Sequence, residues 1–245
     1  MPDSGSDALA LKSGLRLEGI AMPVSTSTSP IVTRADILRM GAGLLTAALI
    51  PGIKPVHAEE RMQTRPIPSS GEALPVIGVG TWQGFDVGTG ASERQALAAV
   101  LDALYAGGGS VVDSSPMYGR SEAVAGDLIE AKGTRAKTFI ATKVWTRGKA
   151  EGIAQMERSM ALLKSGKSID LMQVHNLVDY KTHLDTLRGW KNEGRVNYIG
   201  VTHYTASAFG ELEAVLRSEK LDFVQLNYAI DDRAAEKTLL PLAAD

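Results

Sequence analysis

The chain has no cysteine among its 245 residues. Disulfide scaffolds, thiolate nucleophiles and cysteine-ligated metal sites are therefore excluded. Its four histidines lack the spacing of a metal-ligand motif, so we expect no zinc site. These histidines are His57, His175, His183 and His203.

The chain also lacks an excess of basic charge. Its 26 lysines and arginines oppose 28 aspartates and glutamates, and the formal net charge is -2. We therefore expect no nucleic-acid partner and no attraction to anionic lipid. Because 44% of the residues are hydrophobic, a chain of this length can bury a full core. These properties indicate a globular protein, and they leave small neutral or anionic substrates open.

A long apolar run is missing too. The apolar stretch near the amino terminus covers residues 41–50, which is too short to span a bilayer comfortably. Arg34 and Arg39 precede it, and residues 56–58 supply a small-residue cleavage site. This pattern predicts an export signal that is cleaved after Ala58, and hence a periplasmic protein. The alternative is a disordered tail on a cytoplasmic protein.

The route of export is left open by one position. Residues 33–39 resemble the bacterial twin-arginine motif, but Ala35 stands where its second arginine belongs. Export machinery is the partner that such a segment would engage. We therefore divide the chain into a disordered targeting segment, residues 1–58, and a folded domain, residues 59–245.

Strands and helices alternate after residue 60. A hairpin is predicted around residues 69–71, between strands at residues 61–68 and 74–78. The predicted strands that follow end near Trp82 and Val112 and cover residues 139–142, 169–174, 197–201 and 222–227. The predicted helices lie near residues 97–105, 121–131, 151–164, 181–193 and 206–218, and a sixth begins near Asp232. This alternation is typical of an α/β fold with a parallel sheet.

Polar side chains at several strand ends distinguish a barrel from an open sheet. Asp113, Tyr118, Lys143 and His175 each lie at or just past the carboxyl end of a predicted strand. An open sheet collects its site at one switch point, whereas a barrel uses the ends of successive strands. The pattern therefore favours a barrel, and the four residues suit proton chemistry beside a carbonyl. Singly, such residues are more often helix caps, ion pairs or core residues.

Six short motifs resemble the aldo/keto reductases in order and spacing. They lie at residues 80–82, 113–119, 142–143, 173–176, 194–201 and 224–228. The resemblance implies a (β/α)8 barrel of the TIM-barrel type that reduces a small-molecule carbonyl with NADPH, NADH not being excluded. It implies a catalytic tetrad and a set of cofactor-binding positions. The tetrad is Asp113, Tyr118, Lys143 and His175, and the cofactor-binding positions are Gly80, Thr81, Asp113, Thr202, His203 and Gln225.

The chemistry of carbonyl reduction fits these residue types. Tyr118 is the candidate acid, although a free phenol has a pKa of about 10. We expect the Lys143 ammonium to lower that pKa and Asp113 to keep the ammonium charged. His175 would orient the substrate oxygen. Trp82 and Trp145 follow predicted strands and are expected to line an apolar substrate pocket.

One position departs from the family pattern, and two units are not found. The family usually has serine and asparagine where this chain has Thr202 and His203, so the contact of His203 with the cofactor is open. We find about six strand–helix units, whereas the barrel has eight. We therefore expect a truncated chain with weakened cofactor binding and impaired activity.

Two other functions fit the same residues. The first is a barrel that binds cofactor in a regulatory role without turnover. The second is a Schiff-base enzyme in which Lys143 attacks a carbonyl. Borohydride trapping of Lys143 would distinguish the second from a reductase.

Overall fold

The computed structural model describes residues 62–244. The predicted targeting segment, residues 1–58, lies outside the described residues. The described strands are β1 (Thr64–Pro66), β2 (Ala73–Pro75), β3 (Gly78–Gly80), β4 (Val111–Asp113), β5 (Phe139–Val144), β6 (Ile169–His175), β7 (Val196–His203) and β8 (Phe223–Leu226). The described α-helices are α1 (Ala91–Ala106), α2 (Ser121–Ala131), α3 (Lys149–Leu162), α4 (Tyr180–Asn192), α5 (Phe209–Ser218) and α6 (Leu239–Ala244).

The main sheet is parallel and follows the order of the sequence. Its six strands pair as β3-β4-β5-β6-β7-β8, and β1 and β2 form a separate antiparallel hairpin. Helices α1 to α5 connect the successive parallel strands. The predicted α/β architecture of strand–helix units with an amino-terminal hairpin is therefore confirmed.

Strands β5, β6 and β7 run further than the sequence pattern predicts. Lys143 pairs in register with Gln173, and His175 pairs with Thr202. These polar residues stay in the ladder because each has a neighbouring strand to bond with. Lys143 and His175 therefore project from strands, where the backbone is fixed.

The last predicted helix departs from the sequence prediction more than strands β5, β6 and β7 do. Instead of one helix beginning near Asp232, the chain forms a 3-10 turn at Ala234–Lys237 and then the six-residue helix α6. Within residues 62–244 no helix combines the length and the apolar character needed to cross a bilayer.

Alternation along the strands builds two faces of the sheet. In β5, Ile140 and Val144 belong to the large core under the helices, whereas Phe139 and Ala141 belong to a small core on the other face. Side chains alternate between the faces of a strand, so Lys143 shares the face of the small core. That small core is closed by hairpin residues and contains Ile67, Leu74, Val111, Leu171, Tyr198 and Phe223.

The face that carries Lys143 is the inside of a curled sheet. Gln225 of β8 donates a hydrogen bond to Asp113 of β4 over 3.3 Å, although three strands separate β4 from β8 in the sheet. A flat sheet would hold these strands far apart, since neighbouring strands lie about 4.8 Å from each other. The sheet therefore curls as barrel strands do. Its apolar layer lies at the hairpin end, and its polar layer lies at the carboxyl ends of the strands.

Candidate active site

A buried ion pair occupies the polar layer. The Lys143 ammonium donates to both carboxylate oxygens of Asp113, at 2.9 and 2.7 Å, and to the carbonyl oxygen of Ser114 at 2.7 Å. Lys143 is only 1% exposed, so its charge needs this partner to stay buried. An ammonium has three hydrogens. All three are therefore used within the protein.

Tyr118 lies in the loop between β4 and α2. The next residue, Gly119, has a φ of +61°, and a side chain there would collide with the Asp86 carboxylate. That carboxylate accepts a hydrogen bond from the backbone nitrogen of Arg120 at 3.0 Å. The left-handed backbone next to Tyr118 therefore favours glycine, and the absence of a side chain lets the Asp86 carboxylate approach closely.

The pKa of Tyr118 moves in the opposite direction from the one predicted. Burial of the phenol raises its pKa above the usual 10.0, and the Asp113 carboxylate raises it further. The expectation that Lys143 lowers this pKa is wrong, because the ammonium is neutralised by Asp113. The Lys143 ammonium nitrogen lies 5.3 Å from the centroid of the Tyr118 ring. Tyr118 therefore remains a protonated phenol near neutral pH.

His175 ends β6 beside Tyr118. The two rings meet edge to face, with centroids 6.4 Å apart and an interplanar angle of 88°. Burial, with the nearby charges of Lys143 and His203, lowers the pKa of His175 from 6.5 to about 4. The imidazole is therefore neutral at pH 7 and carries one N–H. Its Nδ1 lies 3.5 Å from the Ser115 hydroxyl, which is a long contact.

A polar cleft of about 240 Å³ opens beside these residues. Tyr118, Lys143 and His175 form one side of it. The other side contains hydroxyl, imidazole and amide groups, from Thr202, His203, Gln225 and Asn227. Gln225 is held in place because its Oε1 accepts from Gln173 at 3.3 Å while its Nε2 donates to Asp113.

His203 has a defined tautomer in its neutral form. Its Nδ1 accepts a hydrogen bond from the backbone nitrogen of Thr205 at 3.3 Å. The proton of the neutral ring must then lie on Nε2. The ring also stacks on Tyr204, with centroids 5.7 Å apart and planes 5° apart. His203 is thus fixed as a hydrogen-bond donor at the cleft.

A second, apolar cavity of about 430 Å³ lies on the other side of Tyr118. The predicted pocket residues Trp82 and Trp145 both line it, and they are 65% and 42% exposed. Met117 and Tyr204 complete its apolar wall. Such a wall suits an apolar group on a small ligand.

Three predicted cofactor-binding positions, Gly80, Thr81 and Asp113, do not line the cleft. Thr81 is fully buried, and its hydroxyl donates to the Ser114 hydroxyl at 2.9 Å. Its carbonyl oxygen accepts from the Ser121 hydroxyl at 3.1 Å. Gly80 ends β3 and is exposed, with open space around it. In this structure Thr81 supports the loop of Tyr118 from behind.

Sequence reasoning missed several residues around the site. Met117 and Tyr204 each adjoin a residue that was identified, and their place after a strand is the signal that was available. Ser114, which accepts from both Thr81 and Lys143, offers no such signal. Glu122 in the first turn of α2 has the pattern of an ordinary helix-start acid, yet it is buried.

The chain is similar to known proteins of one family. A model of the aldo/keto reductase family matches residues 76–245. The methylglyoxal reductase YeaE of Escherichia coli (strain K12) is 28% identical over 187 residues, which are 74% of this chain and 64% of that protein. The NADH-specific methylglyoxal reductase of the same organism is 25% identical over 213 residues, with coverages of 75% and 64%.

Solved structures agree in fold. An aldo-keto reductase from Klebsiella pneumoniae in complex with NADPH superposes with a TM-score of 0.62 at 26% identity. The match covers 75% of this chain and 64% of that one. The chain thus spans less than two thirds of the length of each of these three relatives.

Proposed function

Because the chain belongs to the aldo/keto reductase family, we propose that it reduces an aldehyde or ketone, with a nicotinamide cofactor as the hydride source and Tyr118 as the proton donor. One observation carries the proposal. Tyr118, His175 and Tyr204 line both the cleft and the apolar cavity. A cofactor in the cleft and a carbonyl compound in the cavity would therefore meet at these three side chains.

The chemistry of the cleft fits a nicotinamide. Its carboxamide needs both donors and acceptors, and Thr202, His203 and Gln225 offer a hydroxyl, an N–H and an amide. These three residues would hold the ring. A bound dihydronicotinamide supplies the hydride that the carbonyl carbon receives.

The protein's own residues supply the proton and stabilise the charge. Tyr118, kept protonated by its raised pKa, gives its proton to the carbonyl oxygen as negative charge develops there. The neutral His175 donates its N–H toward the same oxygen, which favours the transition state. The Lys143 ammonium lies 5.3 Å from the centroid of the Tyr118 ring and, through its ion pair, holds Asp113 beside the phenol.

NADPH is the proposed cofactor, and NADH is the alternative. One relative is described in complex with NADPH, and another is described as NADH-specific. The amides and hydroxyls of the cleft bind the nicotinamide end, which the two cofactors share. Titration of the chain with each cofactor, followed by fluorescence, measures the preference.

Turnover tests the proposal directly. The full chain is incubated with saturating NADPH or NADH and either methylglyoxal or benzaldehyde, and loss of the reduced-cofactor absorbance is followed. Saturating cofactor is used so that weak cofactor binding does not limit the measured rate. We expect oxidation of the cofactor that depends on the aldehyde and is absent from the Tyr118→Phe variant. Cofactor binding without oxidation would favour the regulatory role instead.

We also propose that residues 34–58 direct export. Support comes from Arg34 and Arg39, the apolar residues 41–50 and the small residues before Glu59. Cell fractionation with amino-terminal sequencing should find a mature chain that begins near Glu59 outside the cytoplasm. The variant Ala35→Arg should increase export by the twin-arginine route. An uncleaved cytosolic chain would contradict the proposal.

A further inference from the structure

Glu122 is a buried carboxylate that the reaction described above does not use. With 3% of its surface exposed, it is the most buried acidic residue among residues 62–244. Its Oε1 accepts from the Thr142 hydroxyl at 2.6 Å, and its Oε2 accepts from the Ser159 hydroxyl at 3.1 Å. Both hydroxyl residues are themselves buried. A buried carboxylate is costly, so this one needs its partners.

The two ends of the Glu122–Thr142 hydrogen bond lie next to the reacting groups. Glu122 follows Tyr118 by four residues, at the point where the loop of Tyr118 enters α2. Thr142 directly precedes Lys143 in β5. Because side chains alternate along a strand, Thr142 points to the helices while Lys143 points to the interior. One hydrogen bond thus ties the loop that carries the phenol to the strand that carries the ammonium.

Neighbouring contacts hold the same loop from another side. The Ser121 hydroxyl donates to the Thr81 carbonyl oxygen at 3.1 Å, and the Thr81 backbone nitrogen donates to the Asp113 carbonyl oxygen at 3.0 Å. These contacts reach β3 and β4. At the start of the loop, Ser114 also bonds to Ala141 and Lys143 of β5. The bond from Glu122 links the far end of the loop, beyond Tyr118, to β5.

We propose that Glu122 is a positioning residue that holds the Tyr118 loop against β5 and so fixes the phenol beside the Lys143–Asp113 pair. Its effect on turnover rests on the proposed function, whereas its effect on the ionisation of Tyr118 does not. Burial raises the pKa of Glu122, while the hydrogen bonds from Thr142 and Ser159 oppose that rise. The proposed role needs an acceptor at Oε1 and does not need a charge.

Two substitutions separate these requirements. Glu122→Gln keeps an oxygen for Thr142 and offers an amide to Ser159, so the tether remains. Glu122→Ala removes the tether. Thr142→Val removes only the donor and keeps the volume of the side chain, and it serves where Glu122→Ala fails to fold. Thr138→Val is the control, because it removes hydrogen bonds with the Thr134 carbonyl oxygen and the Tyr105 hydroxyl just before the opposite end of β5.

The first readout is turnover by the full chain at saturating cofactor. Glu122→Ala and Thr142→Val should lower kcat by about 10- to 100-fold with little change in cofactor affinity, since small misplacements of reacting groups cost that much. Glu122→Gln and Thr138→Val should retain the wild-type kcat. A Glu122→Ala or Thr142→Val variant with wild-type kcat would overturn the proposal, and so would equal damage from Glu122→Gln and Glu122→Ala.

The second readout is ionisation of the Tyr118 phenol, which is independent of turnover. The chain has 6 tyrosines, so each variant is compared with its own Tyr118→Phe counterpart by ultraviolet absorbance. A loosened loop hydrates the phenol, and hydration favours phenolate. The pH midpoint of the Tyr118 titration should therefore fall toward 10.0 in Glu122→Ala and Thr142→Val and stay unchanged in Glu122→Gln. If the titration midpoint of Tyr118 is unchanged in all variants, the proposal for Glu122 is overturned, whether or not the wild type shows turnover. A lack of turnover by the wild type would refute only the proposed function.

Discussion

Gln225 reaches across the interior of the curled sheet to Asp113, its Nε2 donating to Oδ2 over 3.3 Å. This bond couples a residue of the proposed cofactor cleft to the ion pair that accompanies Tyr118. The same bond joins β8 to β4 across the interior of the sheet. The relationship gives Gln225 two roles, in binding and in orientation of Asp113.

Replacement of Gln225 should therefore affect binding more than folding. We expect Gln225→Ala to weaken cofactor affinity about tenfold, because one hydrogen-bonding partner of the carboxamide is lost. Gln225 is exposed, so the free energy of unfolding should change little. Fluorescence titration beside urea denaturation checks both. Gln225→Glu, which places a second carboxylate beside Asp113, should weaken binding further.

The ion pair predicts unequal effects of removing its two members. Asp113→Ala leaves a buried ammonium without its counter-charge and should lower the free energy of unfolding by about 3 kcal/mol. Lys143→Met leaves a carboxylate that is 18% exposed and still bonded to Gln225, so it should cost less. The double variant should be more stable than Asp113→Ala alone. Equal effects of the single variants, measured by urea denaturation, would contradict a buried pair.

His175 predicts a pH dependence of stability. Its pKa is about 4 in the folded protein, below the ordinary 6.5, so the unfolded chain binds the extra proton between these values. The free energy of unfolding contributed by His175 should therefore be complete above pH 6.5 and fall as the pH drops toward 4. Denaturation at pH 7 and pH 5 should show a smaller difference for His175→Gln than for the wild type. An equal difference would assign the pH effect to other groups.

The engaged ammonium of Lys143 predicts the result of borohydride trapping. With all three hydrogens donated to Asp113 and Ser114, Lys143 is held as a cation and has no free electron pair for attack on a carbonyl. We expect no covalent adduct on Lys143 after treatment with aldehyde and borohydride, by mass spectrometry of its peptide. Exposed lysines such as Lys220 provide the positive control for modification. An adduct on Lys143 would revive the Schiff-base alternative.

Much of the fold could be predicted because it depends on local patterns. Hydrophobic periodicity and glycine stops locate the helices, and α2 begins and ends at the predicted residues. The ends of β5 and β6 were placed too early, because Lys143 and His175 are polar and resemble loop residues. What keeps them in the sheet is pairing with Gln173 and Thr202 from other strands. A single segment carries no signal for that pairing.

The candidate site, like the fold, could be predicted from the sequence only in part. Residue types at strand ends identified Asp113, Tyr118, Lys143 and His175, which the structure brings together. The direction of the Tyr118 pKa was predicted wrongly, because the sequence does not show that Asp113 neutralises Lys143. Glu122 was missed for a related reason, since its burial behind the sheet is a property of the packed fold.

The central claim is that Tyr118 supplies the proton for carbonyl reduction, and single-turnover hydride transfer tests it most directly. Wild type and Tyr118→Phe are each saturated with reduced cofactor and mixed with aldehyde, and cofactor oxidation is followed. Removal of a general acid should slow oxidation by about 10²- to 10⁴-fold, with cofactor affinity unchanged because the hydroxyl acts mainly in the transition state. Retention of most of the wild-type rate by Tyr118→Phe would contradict the account.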